Sequence, residues 1–382
     1  MVTNNEYNFP DEETKPFIKE AWAASGFEEP TAIQIQTEKI ISNGKDIIAE
    51  APTGSGKTLA YLLPLLQKID PLKKQIQVII LASSHELVMQ IHKEIQNWTK
   101  GSGIKTASLI GGANITRQIE KLKKKPQIVA GTPGRVHELI TKKKIKMHEV
   151  QTLVLDEADQ LIVPEHLNTI ENIVKSTLKD RQLLLFSATL PEEMQKVAIP
   201  YMHEPEIVRV KESETNKPKV NHIYLICESR QKMDMLYKIT NIPNSKVLAF
   251  MRDIGNLSVL AEKIKYKGLT VGVLHSDTRK EQREKALKAF RSTENALLLA
   301  TDLAARGLDI DDLTYVVNVD LPKDLTQYTH RAGRTGRLGS EGGTVISLIE
   351  QHELKQLRRF TDTFNVELNE TILYKGELTA PK

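Results

Sequence analysis

Residues 46–58 read DIIAEAPTGSGKT, and the order of chemistries in that stretch decides the fold. A short apolar run ends in a turn holding Gly54 and Gly56. Lys57 and Thr58 then open the apolar helical run LAYLLPLL. A buried strand, a glycine-rich loop and a helix in that order form a phosphate-binding loop. The glycines let backbone amides come close to phosphate oxygens, and the helix N-terminus adds positive potential. Thr53, Gly54, Ser55 and Gly56 are the candidate phosphate contacts. Lys57 has the reach for the β- and γ-phosphates, and Thr58 can offer its hydroxyl to a bridging Mg²⁺. Ala51 stands where the general motif has glycine.

Working outward, apolar runs alternate with helix-like stretches. Residues 46–49, 77–81, 127–130, 152–155 and 182–186 read as buried strands, and 59–69 and 85–98 as crossover helices between parallel neighbours. From about residue 206 to 220 the chain turns polar and charged. The alternation then restarts, with strands expected at 246–251, 270–274, 296–300, 315–319 and 344–348. A closing helix is expected at 351–364, followed by a short tail. The expectation is two α/β domains, 1–208 and 220–382, joined by a linker at 209–219. A length of 382 residues suits two domains.

Composition narrows the function. Hydrophobic residues at 40% and charged residues at 27% describe a folded chain rather than a disordered one. Cys227 is the only cysteine, which excludes an intramolecular disulfide and a cysteine-rich zinc site. No segment reaches the roughly 18 uncharged residues of a membrane span, so a cytoplasmic protein is expected. The net charge of +4 does not by itself mark a nucleic-acid binder. Lysines cluster at 121–125 and 142–146, as solvated faces often do.

About a hundred residues after the phosphate loop, the strand TLVL ends in Asp156, Glu157, Ala158 and Asp159. Carboxylates there sit at the carboxyl edge of a parallel sheet, where ligands bind. Asp156 can hold Mg²⁺ through water, and Glu157 can polarise the water that attacks the γ-phosphate.

With APTGSGKT and DEAD together, the chain resembles a DEAD-box ATP-dependent RNA helicase, and the likeness runs from about Phe9 to Glu350. It is closest in size to short bacterial members without a C-terminal extension. The resemblance implies two tandem RecA-like domains, each a mainly parallel sheet flanked by helices, that close on ATP and one RNA strand. GFEEPTAIQ at 26–34, with Phe9 seventeen residues ahead, resembles the adenine-reading segment: Gln34 on the adenine edge, Thr31 supporting the loop, Phe27 near the base. Ser84 and His85, Gly112, and TPGR at 132–135 (Thr132, Pro133, Gly134, Arg135) match the RNA side of the first domain, Arg135 as a brace. Ser187 and Thr189 of SAT, with Asp159, would link the ATP site to the RNA groove. In the second domain Thr301 and Gly307 match the RNA side, and Asp309 would accept from the ribose. His330 and Arg331 would relay between domains, and Arg334 and Arg337 match arginine fingers.

That engine implies RNA-stimulated ATP hydrolysis, local unwinding of short duplexes and a monomer, with ribosomal precursor particles as one substrate by analogy. A DNA helicase with the same engine and an RNA clamp with little unwinding are the alternatives. The chain departs from the family at SSHELVMQ, residues 83–90, where His85 replaces an arginine, and at Lys280, which replaces a glutamine.

Overall fold

The computed structural model describes residues 9–211, 220–305, 310, 313–336, 342–363 and 366–381. Gly307, Asp309, Arg337 and residues 212–219 of the expected linker lie outside the described residues. The chain divides into two compact units, residues 1–216 and 217–382.

Unit 1 contains β1 (Ile47–Glu50), β2 (Val78–Leu81), β3 (Thr106–Leu109), β4 (Ile128–Gly131), β5 (Thr152–Asp156), β6 (Gln182–Ser187) and β7 (Glu206–Arg209). They form one sheet in the order β3-β4-β2-β5-β6-β1-β7, with every pairing parallel. The two-residue period of each strand divides its side chains between two cores. Ile47, Ala49, Val78, Ile80, Leu184 and Phe186 pack on one face with the helices Lys57–Lys68 and His85–Trp98. Ile48, Ile79, Leu81, Leu153, Leu155 and Leu183 pack on the other with Pro133–Thr141 and Pro164–Lys175. Both faces are covered, which is why the central strands read as unbroken apolar runs.

Unit 2 contains β8 (Val220–Ile226), β9 (Lys246–Phe250), β10 (Thr270–Leu274), β11 (Ala296–Ala300), β12 (Tyr315–Asn318), β13 (Gly343–Ile349) and β14 (Leu368–Glu370), in the order β10-β11-β9-β12-β13-β8-β14. Strands β8 to β14 occupy in turn the places of β1 to β7, so the two sheets share one topology. All the pairings are again parallel.

Four of these strands escape the apolar pattern. β3 reads TASL, with Ser108 buried, and β8 places His222 in the interior. β7 and β14 are edge strands held mainly by backbone pairing. Val208 alone is buried in β7, so residues 206–209, read as the start of a polar stretch, form an edge strand. The tail is also structured: beyond β14, β15 (Ile372–Tyr374) and β16 (Glu377–Thr379) form a hairpin, and Leu373 and Leu378 pack against a core of unit 2. Among the described residues no helix is long and apolar enough to cross a membrane.

Candidate active site

Because the strands are parallel, every loop that follows a strand emerges at one edge of its sheet, and in unit 1 the phosphate loop, DEAD and SAT meet there. After β1 the chain passes through Gly54 and Gly56 at φ +74° and +91°, a region side chains disfavour. A Cβ on Gly56 would lie 2.7 Å from Gln34 Nε2 and 2.9 Å from Thr31 Oγ1, so the loop closes on the preceding segment only because this residue is glycine. Lys57 Nζ donates to the carbonyls of Ala51 at 2.6 Å and Pro52 at 3.0 Å, folding the ammonium over the loop. Burial pushes its pKa down, against the pull of Asp156, Asp159, Glu157 and Glu50. Ser55 Oγ is buried with no hydrogen-bond partner among the described residues. A buried hydroxyl without a partner costs free energy, so the loop suits a bound group that supplies one.

Asp156 ends β5 and is 4% exposed. Its Oδ1 accepts from the Glu157 amide at 2.9 Å, and its Oδ2 accepts from Tyr61 Oη at 2.9 Å. Burial, then the Glu157 charge, raise its pKa to about 6, with Lys57 opposing. Glu157 has φ +52°, a left-handed backbone unusual outside glycine, and Ser83 Oγ donates to its Oε2 at 3.2 Å. Among the described residues no cluster of three metal-type ligands exists. Thr189 Oγ1 donates to Asp159 Oδ2 at 2.9 Å, while Ser187 Oγ accepts from the Asp159 amide at 3.3 Å. Only one of the two hydroxyls therefore meets a carboxylate.

Gln34 spends its amide locally: Oε1 accepts from the Thr31 amide at 3.0 Å, and Nε2 donates to the Gly56 carbonyl at 3.3 Å. The same side chain reads the helix start and fastens the phosphate loop. Phe9 and Phe27 pack edge-on against Trp22, with centroids 5.0 and 5.8 Å away, and Phe27 keeps 47% of its surface exposed. Sequence reasoning missed Tyr61, Ser83 and Trp22. Tyr61 alone left a trace, as the one hydroxyl within the apolar run LAYLLPLL.

The loops after β2, β3 and β4 form a second cluster on the same edge. Ser84 caps the helix His85–Trp98 by accepting from the Leu87 amide at 3.2 Å. His85 is exposed, and its ring lies over the turn Gly111–Gly112, 3.3 Å from where a Cβ of Gly111 would stand. Thr132 is the N-cap of Pro133–Thr141, and Gly134 faces open space. Arg135 donates from Nη1 to the Ala113 carbonyl at 3.0 Å and pairs with Glu138 at 3.0 Å, a brace for the glycine turn.

In unit 2, Thr301 follows β11, and its amide donates to the Leu274 carbonyl at 3.1 Å. Arg331 is held from several sides. It is 1% exposed, grips Asp302 with two bonds of 2.6 and 2.8 Å, donates to Asn318 and the Asp320 carbonyl, and stacks on Phe250. These bonds all lie inside unit 2, where Arg331 braces the fold. His330 precedes it on the helix Leu325–Ala332, and its carbonyl accepts from Arg334 Nε at 3.3 Å.

A glycine-rich phosphate loop, carboxylates at the end of another parallel strand of the same sheet and a repeated sheet define a P-loop NTPase of two RecA-like domains. The DEAD/DEAH box helicase profile matches residues 31–197, and the helicase conserved C-terminal domain matches 231–339. The chain is 53% identical to the probable ATP-dependent RNA helicase YfmL of Bacillus subtilis, over 95% of this chain and 96% of that one. It is 47% identical to the DEAD-box ATP-dependent RNA helicase CshC of Bacillus cereus, over 96% and 94%. Among solved structures, S. cerevisiae Dbp5 bound to RNA and ADP BeF3 superposes with a TM-score of 0.83 at 28% identity, covering 93% of each chain. The chain belongs to the DEAD-box ATP-dependent RNA helicase family.

Proposed function

We propose that the chain grips one RNA strand with both domains, residues 1–208 and 220–382, bends it, and so opens short duplexes locally, with ATP hydrolysis releasing the strand. Gln34, Thr31, Phe27 and Phe9 form the adenine end of the nucleotide site. Thr53 to Thr58 cradle the phosphates, and the Lys57 ammonium exchanges its two carbonyls for phosphate oxygens. Thr58 through its hydroxyl and Asp156 through water would hold Mg²⁺, which would supply positive charge to the phosphates when bound. Glu157 takes the proton from the attacking water. Asp309, Arg334 and Arg337 complete the site from the second domain, with the arginines stabilising charge in the transition state.

Ser84, His85, Gly112, Thr132, Pro133 and Gly134, with Thr301 and Gly307, line the RNA side. Contacts to backbone phosphates and 2′-hydroxyls favour RNA with little sequence preference. A strand bent to fit such a groove cannot remain stacked in a duplex, and opening a few steps costs about 1–2 kcal/mol each. The observation that carries this reading is the Thr189–Asp159 bond of 2.9 Å, which joins the short helix Ala158–Leu161, just after Asp156 and Glu157, to the loop following β6. The coupling it offers makes ATP and RNA binding mutually favourable.

On the family resemblance, the reading extends to a monomer in the cytoplasm with ribosomal precursor particles among its substrates. Crosslinking and sequencing of bound RNA checks the last point. For the activity itself, Lys57→Ala should lose ATP binding, while Glu157→Gln should hold ATP and RNA without turning over. Equal loss of binding in both variants rejects the assignment.

A further inference from the structure

The motifs described above occupy the carboxyl ends of the unit 1 strands. The opposite pole has a strong charge of its own. In the order β3-β4-β2-β5 the four strands are neighbours, so the segments leading into them, residues 69–77, 99–105, 121–127 and 141–151, share the amino edge of the sheet. Those segments hold twelve lysines against two acidic residues, Asp70 and Glu149, although the whole chain carries only +4. All twelve lysines are exposed. Lys123, Lys142 and Lys146 pair with carboxylates; the other nine have no such partner among the described residues.

Two further observations argue against a merely solvated face. Lys125 and Lys143 each follow a helix end at φ +55°, a position that normally takes glycine or asparagine. A long side chain there costs on the order of 1 kcal/mol in backbone strain. Helix-end lysines do complement the helix dipole, but that reason does not reach Lys73, Lys74 or Lys105. The loops are also fastened together. Gln127 accepts from the Lys105 amide at 2.8 Å and donates to the carbonyls of Lys73 at 2.9 Å and Pro71 at 3.3 Å, which fixes the backbone beneath the charges.

We infer that this amino-end pole is a second RNA surface, shaped for the phosphate backbone of duplex RNA flanking the strand held on the carboxyl edge. The inference rests on the RNA reading of the carboxyl edge. The four segments contain no Phe, Tyr or Trp, so they offer phosphates a field and bases no stacking platform, which favours duplex over single strand. Lysine suits such contact as a point charge without base readout. The two edges lie about 15 Å or more apart, the length of a four- to five-residue strand, so a single short strand on the carboxyl edge does not cover both. The pole would hold the helicase near a structured region while the carboxyl edge engages a neighbouring strand.

The test uses the full chain with Lys73, Lys74, Lys124, Lys125, Lys143 and Lys144 changed to Gln. Binding is measured across a salt series to a single strand of about ten nucleotides, and to the same strand flanked by a hairpin of about 16 base pairs. The wild type should prefer the flanked RNA. The variant should lose about tenfold or more on the flanked RNA, with a salt slope lower by about two units or more, and should bind the bare strand unchanged. A second variant, Lys19, Lys39, Lys175 and Lys196→Gln, removes charge elsewhere on unit 1 and should keep the preference.

Equal affinities of wild type and variant for flanked RNA overturn the surface. So does equal loss on both RNAs, equal loss in the second variant, or competition by polyglutamate as strong as by duplex. RNA-stimulated ATPase on the bare strand is read in parallel. Its absence in the wild type rejects the helicase reading and not the surface, which is judged by the binding ratios.

Discussion

Asp156 sits where burial works against its charge. Its pKa of about 6 lies above the ordinary 3.8, so the folded protein holds a proton that the unfolded chain releases between about pH 4 and pH 6. Stability therefore falls as pH rises through that window, by up to about 3 kcal/mol for a shift of this size. In metal- and nucleotide-free protein, Asp156→Asn should be more stable than wild type at pH 7.5 by roughly 1–3 kcal/mol, and the advantage should vanish near pH 4. Urea unfolding at both pH values measures it, and a difference independent of pH contradicts it. Tyr61 Oη holds the same carboxylate while its ring packs on Phe186 with centroids 5.2 Å apart. Tyr61→Phe keeps that packing and removes one buried bond, at about 1 kcal/mol. It should raise the Mg²⁺ concentration needed for nucleotide binding several-fold and leave Mg²⁺-free binding unchanged, as followed with a fluorescent nucleotide. His85 is exposed over the glycine turn, where a neutral imidazole offers phosphate less than a guanidinium. His85→Arg should tighten RNA binding and raise the salt slope by about one unit. An unchanged slope would mean that residue 85 does not meet the RNA.

At the scale of elements, the legible parts were those whose physics is local. A strand buried on both faces must be apolar throughout, and VIIL, TLVLD and ALLLA gave themselves away. Edge strands such as β7 and β14 need backbone pairing more than side-chain burial, so EIVR and LNE carry no comparable signal. The phosphate loop, DEAD and SAT were readable as words, but what joins them was not. Bonds such as Tyr61 to Asp156 span 95 residues and depend on strand order, which no local pattern records. Arg331 shows the same limit: its motif names the residue but not its partners, since Asp302, Asn318 and Phe250 come from three separate segments of unit 2. Arg331→Ala should leave Asp302 without its partner and destabilise unit 2 by about 3–5 kcal/mol. Arg331→Lys should recover little of this, because one ammonium cannot replace the planar fork. A variant with wild-type thermal stability but lost coupling of ATPase to RNA would assign Arg331 to the relay and not to the brace.

At the scale of the molecule, one topology occurs twice. The first has the phosphate loop and the carboxylates that hydrolysis needs, and the second has Arg334 and its neighbours. On the proposed mechanism, hydrolysis waits for both, so Arg334→Ala should abolish RNA-stimulated turnover with only modest loss of ATP affinity. The central claim is that ATP binding drives strand separation and hydrolysis resets the protein. Displacement of a short labelled RNA duplex, followed with ATP over several turnovers in wild type and Glu157→Gln, tests it most directly. The account predicts repeated displacement by the wild type and at most a single round by the variant, which stays bound to RNA and ATP. Multiple-turnover displacement by Glu157→Gln, or no ATP-dependent displacement by the wild type, would contradict it.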